Sequence, residues 1–337
     1  MQLDFAQIKS ITQGAASVEY SDGKYTFHRF HTLEEDLYAP TQFRDKVYST
    51  AGVQMEFLTD ATELFLDIET STATSRTYFS VDIFVNGALW DRMQNFDDTI
   101  FEENYTEMNF PLGRYTKEIS LGEGEKRVRI VFPWSTKTQL LEMQAKNATY
   151  IKPCPKDKAL IMYGDSITNG YDAVYTSNSY AVRLADALDA ELFNKGIGGE
   201  IFFPALATVK SHPSPALIIV AYGTNDWSKT EKADAQQRCK AFYANLVANY
   251  PSTNIVALTP VWRKNHSKIQ KFGEFSHVAE MIKEICAEYP NIKVISGWEL
   301  IPHDEMYYAD RRVHPNDQGF DWYYRNLKEK IDTERVF

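Results

Sequence analysis

Long apolar runs are absent from this 337-residue chain. No stretch approaches the ~18 consecutive apolar residues of a membrane-spanning helix. The opening MQLDFAQIKSITQG has neither the basic leader nor the apolar core of a secretion signal. Together these absences lead to the expectation of a cytoplasmic protein that makes no use of a membrane. Positive charge is scarce as well: 36 Lys and Arg stand against 46 Asp and Glu, a formal net charge of −10. That balance disfavours attraction to nucleic acid or anionic lipid, so neither is expected as a partner, and a neutral or modestly polar ligand fits better. Cysteine is nearly missing. Cys154, Cys239 and Cys286 are odd in number, widely spaced and without metal-ligand spacing. They read as free thiols, and neither a disulfide framework nor a metal is expected.

Apolar residues make up 44% of the chain, enough for one or two real cores, and the length exceeds that of a usual single domain. The first part reads in strands. VEYSDGKYTFHRF sets the turn pair Asp22-Gly23 between β-branched and aromatic residues, and YFSVDIFVNGALW alternates Phe79, Val81, Ile83 and Val85 before Asn86-Gly87. Both are hairpin signatures. VQMEFL, ELFLDIE, YTKEISL and KRVRIVFPW supply further short strands with one apolar side. Such strands need a facing sheet, which predicts a β-sandwich of jelly-roll type over residues 1–150. The Pro- and Lys-rich stretch PCPKDK then marks a boundary, and a second domain is expected over 157–337.

Beyond the boundary the period changes. KALIMYGDS, ALIIVAYGTND, NIVALTPV and NIKVISG read as buried strands, separated by helical patterns in SYAVRLADALDA, ADAQQRCKAFYANLVANY and FSHVAEMIKEICAEY and closed by GFDWYYRNLKEKI. This alternation predicts a parallel sheet with helices on both faces, an α/β/α layering. In such a sheet chemistry belongs at the carboxyl ends of the strands, where both GDS and GTND fall.

Ser166, on the turn after KALIMYG, is either a helix cap or a nucleophile. A hydroxyl attacks at neutral pH only when a neighbouring base takes its proton, and amides following a strand-to-helix turn can face developing negative charge. His314 stands out among the seven histidines because ADRRVHPNDQG is a polar loop just before the closing helix, with an acidic residue upstream. That helix would fix the loop against the sheet edge and bring His314 to Ser166.

Four ordered motifs carry a resemblance: GDSIT at Gly164 to Thr168, NKGIGG at Asn194 to Gly199, GTND at Gly223 to Asp226 and HPND at His314 to Asp317. The sequence resembles the SGNH hydrolases, also called GDSL-type esterases. The resemblance implies that Ser166 is the nucleophile and His314 the general base. It further implies an oxyanion hole made by the amides of Ser166 and Gly199 and the side chain of Asn225. Family members commonly place the triad Asp three positions before the His, but here Arg311 stands there and Asp310 lies one residue farther. Two arrangements stay open: Asp310 swings to the imidazole and completes a triad, or a backbone carbonyl orients His314 in a dyad. Asp317 reads as a cap of the closing helix.

The order of a β-sandwich followed by this catalytic half is similar to carbohydrate esterases that remove O-acetyl groups from xylan or mannan. The resemblance therefore implies a serine esterase acting on acetylated oligosaccharides or a small acyl ester, without cofactor. A lipase, thioesterase or general short-chain acylhydrolase is the alternative enzyme, and a non-catalytic saccharide-binding protein the alternative outside catalysis. Trp227, directly after GTND, and Trp262, after the ALTPV strand, are candidate saccharide platforms or packing residues. Arg263 is a candidate for substrate hydroxyls or a salt bridge. The N-terminal domain, tied by a short junction, is expected to wall the cleft, and no feature selects an oligomeric state.

Overall fold

The structure, a computed structural model, describes residues 1–97, 99–101 and 104–337. Its first part runs α1 (Phe5–Ile11), β1 (Thr12–Gln13), β2 (Ser17–Ser21), β3 (Lys24–His28), α2 (Thr32–Tyr38), β4 (Gln54–Thr59), β5 (Glu63–Thr72), β6 (Ser80–Val85), β7 (Ala88–Gln94), β8 (Arg114–Ser120), β9 (Lys126–Val131), β10 (Thr136–Lys146) and β11 (Ile151–Pro153). The second part runs β12 (Lys158–Gly164), α3 (Ser166–Asn169), α4 (Tyr180–Ala187), β13 (Ala190–Gly196), β14 (Leu217–Ala221), α5 (Thr224–Lys229), α6 (Lys232–Asn249), β15 (Ile255–Leu258), α7 (Ser276–Cys286), β16 (Ile292–Ile295) and α8 (Asp317–Glu334).

The N-terminal strands form two antiparallel sheets, ordered β1-β4-β9-β6-β7 with β11 beside β4, and β2-β3-β10-β5-β8. One buried cluster takes Phe27, Leu66, Ile68, Leu140 and Met143 from the second sheet and Met55, Phe57, Val81, Ile83 and Ile130 from the first. Side chains alternate across a strand, so each sheet offers one apolar face, and the two faces close on each other as a sandwich. The turns of the hairpins β2–β3 and β6–β7 have both central residues at positive φ, Asp22 at 52° and Gly23 at 77°, Asn86 at 52° and Gly87 at 82°. That is the geometry for which Asp-Gly and Asn-Gly are favoured, because its twist matches that of the strands.

The C-terminal strands form one parallel sheet in the order β13-β12-β14-β15-β16. Leu160, Met162, Ile219, Val256 and Leu258 pack on one face with Tyr180, Leu184, Phe320 and Leu327 of α4 and α8. The intervening Ile161, Tyr163, Ile218, Val220 and Ala257 pack on the other with Cys239, Phe242, Val278 and Ile282 of α6 and α7. Burial on both faces is why these strands read as nearly unbroken apolar runs. β13 is the strand that the alternation of patterns passes over, because Asn194 and Lys195 interrupt it.

Those two polar residues are buried and satisfied from elsewhere. Lys195 pairs with Glu34 of α2 at 2.7 Å, both side chains having no solvent exposure. Asn194 donates through Nδ2 to the Thr168 carbonyl at 2.8 Å. Arg29, also fully buried, reaches the carbonyls of Asn194 at 2.7 Å and Gly196 at 3.3 Å. On the opposite face, Ser80 and Asp82, the polar partners in the β6 alternation, accept from the Thr176 and Ser177 amides at 2.9 Å each. The sandwich is thus bonded to the α/β domain through its own polar residues.

Candidate active site

Gly164 at the end of β12 lies in register with Gly196 of β13 and with Ala221 of β14. Three loops therefore leave the sheet side by side, and they carry Ser166, Gly199 and Asn225. The first turns at once into α3, whose cap Asp165 accepts from the Ile167 amide at 3.0 Å. Burial pushes the Asp165 carboxyl up to about 6. Glycine is required at 164 because a Cβ there would meet Thr168 Oγ1 at 2.2 Å.

The loop before α8 folds back on itself, with Tyr308 bridging Pro315 and the Ala309 amide donating to the His314 carbonyl at 2.8 Å. Inside this loop one oxygen of Asp310 accepts from the amides of Arg312, Val313 and His314 at 2.9, 2.7 and 3.0 Å. The other oxygen stands 3.0 Å from His314 Nδ1, and His314 Nε2 stands 2.9 Å from Ser166 Oγ. Arg311 has φ 53°, and this left-handed residue curls the chain so that the four-residue offset still aims the carboxylate at the ring. Of the two arrangements left open, the group facing Nδ1 is thus the Asp310 carboxylate.

Burial works to raise the pKa of Asp310, but the bond and charge of His314, together with the backbone amides, hold it well below the usual carboxylate range. For His314 burial favours the neutral ring. The Asp310 bond and the charges of Asp172 and Asp310 outweigh that and raise its pKa above the ordinary 6.5. An ionised Asp310 fixes the tautomer with the proton on Nδ1, which leaves Nε2 to accept from the serine hydroxyl.

The opposite side of Ser166 offers donors. Gly199 has φ 87°, a left-handed conformation in which a side chain is disfavoured. The carbonyls of Gly198 and Gly199 accept from Lys46 Nζ and Lys229 Nζ respectively, which holds both carbonyls on the lysine side. The amides of Ser166 and Gly199 donate to no other group among the described residues. Asn225, in the first turn of α5, has its Nδ2 buried without a hydrogen-bond partner. A buried amide left empty calls for an acceptor that arrives later, and an oxyanion is such an acceptor.

Residues 162–322 match the model of the GDSL-like Lipase/Acylhydrolase family. The C-terminal half is thus similar to GDSL-like acylhydrolases over the segment that carries the site. The whole chain also resembles solved structures. One is the salicylyl-acyltransferase SsfX3 of a tetracycline biosynthetic pathway, 19% identical with a TM-score of 0.79, covering 97% of this chain and 95% of the other. Another is a Bacteroides ovatus protein solved as a GDSL-like lipase, 19% identical with a TM-score of 0.77, covering 97% and 96%. A third is a family two carbohydrate esterase from Clostridium thermocellum in complex with cellohexaose, 16% identical with a TM-score of 0.64, covering 85% and 93%. At these identities the likeness speaks for the shared two-domain fold. A comparison with curated proteins gives no match.

In this C-terminal domain several expected contacts fall elsewhere. Trp227 is not on the rim. It is fully buried, donates to the Gly273 carbonyl at 2.9 Å and packs edge-on against Phe275. Trp262 keeps 8% of its surface and stacks on His303 at a centroid distance of 5.7 Å. Arg263, 6% exposed, lies over the Trp227 ring and donates to the Thr224 carbonyl at 3.2 Å and to Asn265 at 2.8 Å. Trp227 thus presents no surface to a substrate, and Trp262 and Arg263 keep only a small part of theirs. The cap of α8 is Asn316, which accepts from the Gly319 amide at 2.9 Å. Asp317 instead accepts from the Val174 amide and Asn178 Nδ2, both at 2.8 Å, and ties α8 to the loop after α3. A groove of about 630 Å³ opens beside Thr259, His266, Ile269, Phe275 and Trp298, with none of Ser166, Asn225 and His314 in its walls.

Sequence reasoning passes over Asp172. Its carboxylate lies 3.3 Å from His314 Nδ1 and has no solvent exposure. Its ion-pair partner, Arg76, comes from the loop between β5 and β6, so only the three-dimensional fold brings the pair together. In the chain it reads as an ordinary turn aspartate, six residues after the candidate nucleophile in GYDAV, and it does sit in the turn that the Ala173 amide closes on the Gly170 carbonyl at 3.1 Å.

Proposed function

We propose that the protein is a serine esterase that removes O-acetyl groups from plant-type oligosaccharides such as xylo- or manno-oligosaccharides. The observation that carries this reading is the unbroken line from Ser166 Oγ to His314 Nε2 at 2.9 Å and from His314 Nδ1 to Asp310 at 3.0 Å. Ser166 Oγ bonds to the acetyl carbonyl carbon as its proton passes to His314 Nε2. The carbonyl oxygen becomes an oxyanion and takes donors from Ser166, Gly199 and Asn225, groups that stand ready before substrate arrives. Collapse of the tetrahedral intermediate breaks the bond to the sugar oxygen, which receives the proton from His314. Water, deprotonated by the same imidazole, then attacks the acetyl-serine, and acetate leaves as Ser166 Oγ takes the proton back from His314. The account uses no metal or organic cofactor.

The saccharide part of the reading draws support from the fold shared with the esterase solved with cellohexaose. The fold shared with an acyltransferase favours a second reading, in which an alcohol takes the place of water in the second step. One experiment separates them. Purified enzyme is offered positionally defined acetylated xylo- and manno-oligosaccharides, with and without added alcohol acceptors, and free acetate is compared with new ester. The proposal expects acetate release that Ser166→Ala abolishes; new ester in excess of acetate favours transfer, and full activity in Ser166→Ala removes both readings.

A further inference from the structure

We propose that Asp172 is a second carboxylate partner of the His314 imidazole, presented to it by Arg76 and Tyr78 of the N-terminal sandwich, so that the sandwich takes part in setting the strength of the base. This rests on His314 acting as the base of the proposed esterase. Asp172 Oδ2 stands 3.3 Å from His314 Nδ1, on the same ring nitrogen that Asp310 approaches to 3.0 Å. The N–H on Nδ1 bonds to Asp310, and Asp172 sets a second negative charge beside the same nitrogen.

The placement of Asp172 is over-determined. Its φ of 72° lies in the left-handed region, which aspartate enters more readily than most residues, and its surroundings hold it there. Four side chains from the sandwich do so. Arg76 donates to both carboxylate oxygens at 2.6 and 3.1 Å, and Tyr78 adds a bond at 2.8 Å. Tyr105 donates to the Asp172 carbonyl at 2.6 Å, and Trp134 to the following carbonyl of Ala173 at 2.9 Å. A packing role alone does not call for a carboxylate at the imidazole. An apolar residue would fill the same space without the cost of burying a charge.

The charged and titratable groups around the ring can be named element by element. Asp310 faces it from its own loop, and Asp172 from the segment after α3. Tyr171 stacks on it at a centroid distance of 5.7 Å. Ser166 bonds it from the start of α3, with the buried Asp165 just behind. Arg76 is the cation opposing these acids, and it also lies 5.7 Å over the Tyr171 ring. On the Nδ1 side two carboxylates thus stand against one guanidinium. Asp172 favours the imidazolium that forms during acyl transfer, whereas Arg76, paired with that carboxylate, opposes it. Each removal therefore has a sign. Without the Asp172 charge the ring protonates at lower pH, and without the Arg76 charge it protonates at higher pH.

The test is the acid limb of kcat/KM against pH, which reports the base of the free enzyme, measured on a small acetyl ester for wild type, Asp172→Asn and Arg76→Gln. The expected result is a limb moved down by about one pH unit in Asp172→Asn and up by a similar amount in Arg76→Gln. Arg76→Lys, which keeps the charge, should return the limb toward wild type. Thermal melts accompany each variant, and if Arg76→Gln does not fold, the direction of the Asp172→Asn limb decides alone. A purely structural role would lower kcat with both limbs unmoved, and that outcome, or movement of both limbs in one direction, overturns the inference. Failure of the esterase reading looks different: activity would then survive Ser166→Ala, whatever the limbs do.

Discussion

Replacing Asn225 by alanine should separate activity from stability, because the amide that matters in the transition state has nothing to bond in the resting enzyme. Asn225 Nδ2 is buried with no partner. A buried unsatisfied donor costs the folded state about 1–3 kcal/mol. Alanine also favours a helix over asparagine by roughly 0.5 kcal/mol, and residue 225 sits in the first turn of α5. Removal of the amide thus relieves a cost to folding, offset in part by the packing lost with the side chain. In the transition state the balance reverses. An oxyanion donor is worth about 2.7–4 kcal/mol, or roughly 100- to 1,000-fold in kcat. Since the oxyanion forms only after attack, KM should hardly move. Hydrolysis of 4-nitrophenyl acetate at saturation gives kcat, and a thermal melt of the same preparation gives Tm. The expectation is the full fall in kcat with Tm unchanged or higher. A kcat within about threefold of wild type, well short of the range for an oxyanion donor, would falsify the role assigned to Asn225. A clear loss of Tm would refute the reasoning from the empty amide.

Asp310→Asn keeps the shape of the loop but loses the charge beside Nδ1, and steady-state kinetics should show turnover falling at least about tenfold, while remaining above the roughly 10⁴-fold loss seen when a triad has one acid, since Asp172 stays 3.3 Å from the ring. In the wild type, kcat/KM should fall as pH drops through the pKa of His314, because only the neutral ring accepts the serine proton; that pKa is raised above 6.5, so the limb should lie above pH 6.5 in a pH–rate profile. Glu34→Ala leaves Lys195 charged and buried, which costs about 3–5 kcal/mol and should lower Tm by roughly 10 °C in calorimetry. An unchanged melt would show that this pair does not bind the two domains together.

Much of the site is legible in the sequence because its parts lie at the ends of strands with strong local signals. Leu160 to Met162 and Leu217 to Val220 are apolar without interruption, so the GDS and GTND tips at their carboxyl ends stand out. The loop of His314 is marked by its polarity and by the amphipathic helix that follows. What escapes is what depends on partners remote in the chain. Lys195 breaks the pattern of β13, and only Glu34, on a helix of the other domain, explains its burial. Asp172 acquires meaning through Arg76, 96 positions away. Trp227 and Trp262 follow strand ends, but which way a side chain turns there is decided by the loops that pack on it. A rim position in the sequence became a buried position in the fold.

The central claim is that Ser166 is the nucleophile, and active-site labelling tests it most directly. A fluorophosphonate reacts with a serine only where a neighbouring base has activated the hydroxyl. Peptide mass spectrometry locates the label, and residual hydrolysis of an acetyl ester is followed in the same samples. The account predicts that the label falls on the peptide containing Ser166, that activity disappears in proportion to its incorporation, and that Ser166→Ala is neither labelled nor active while melting like the wild type. Activity that persists in fully labelled enzyme, or in Ser166→Ala, would contradict it.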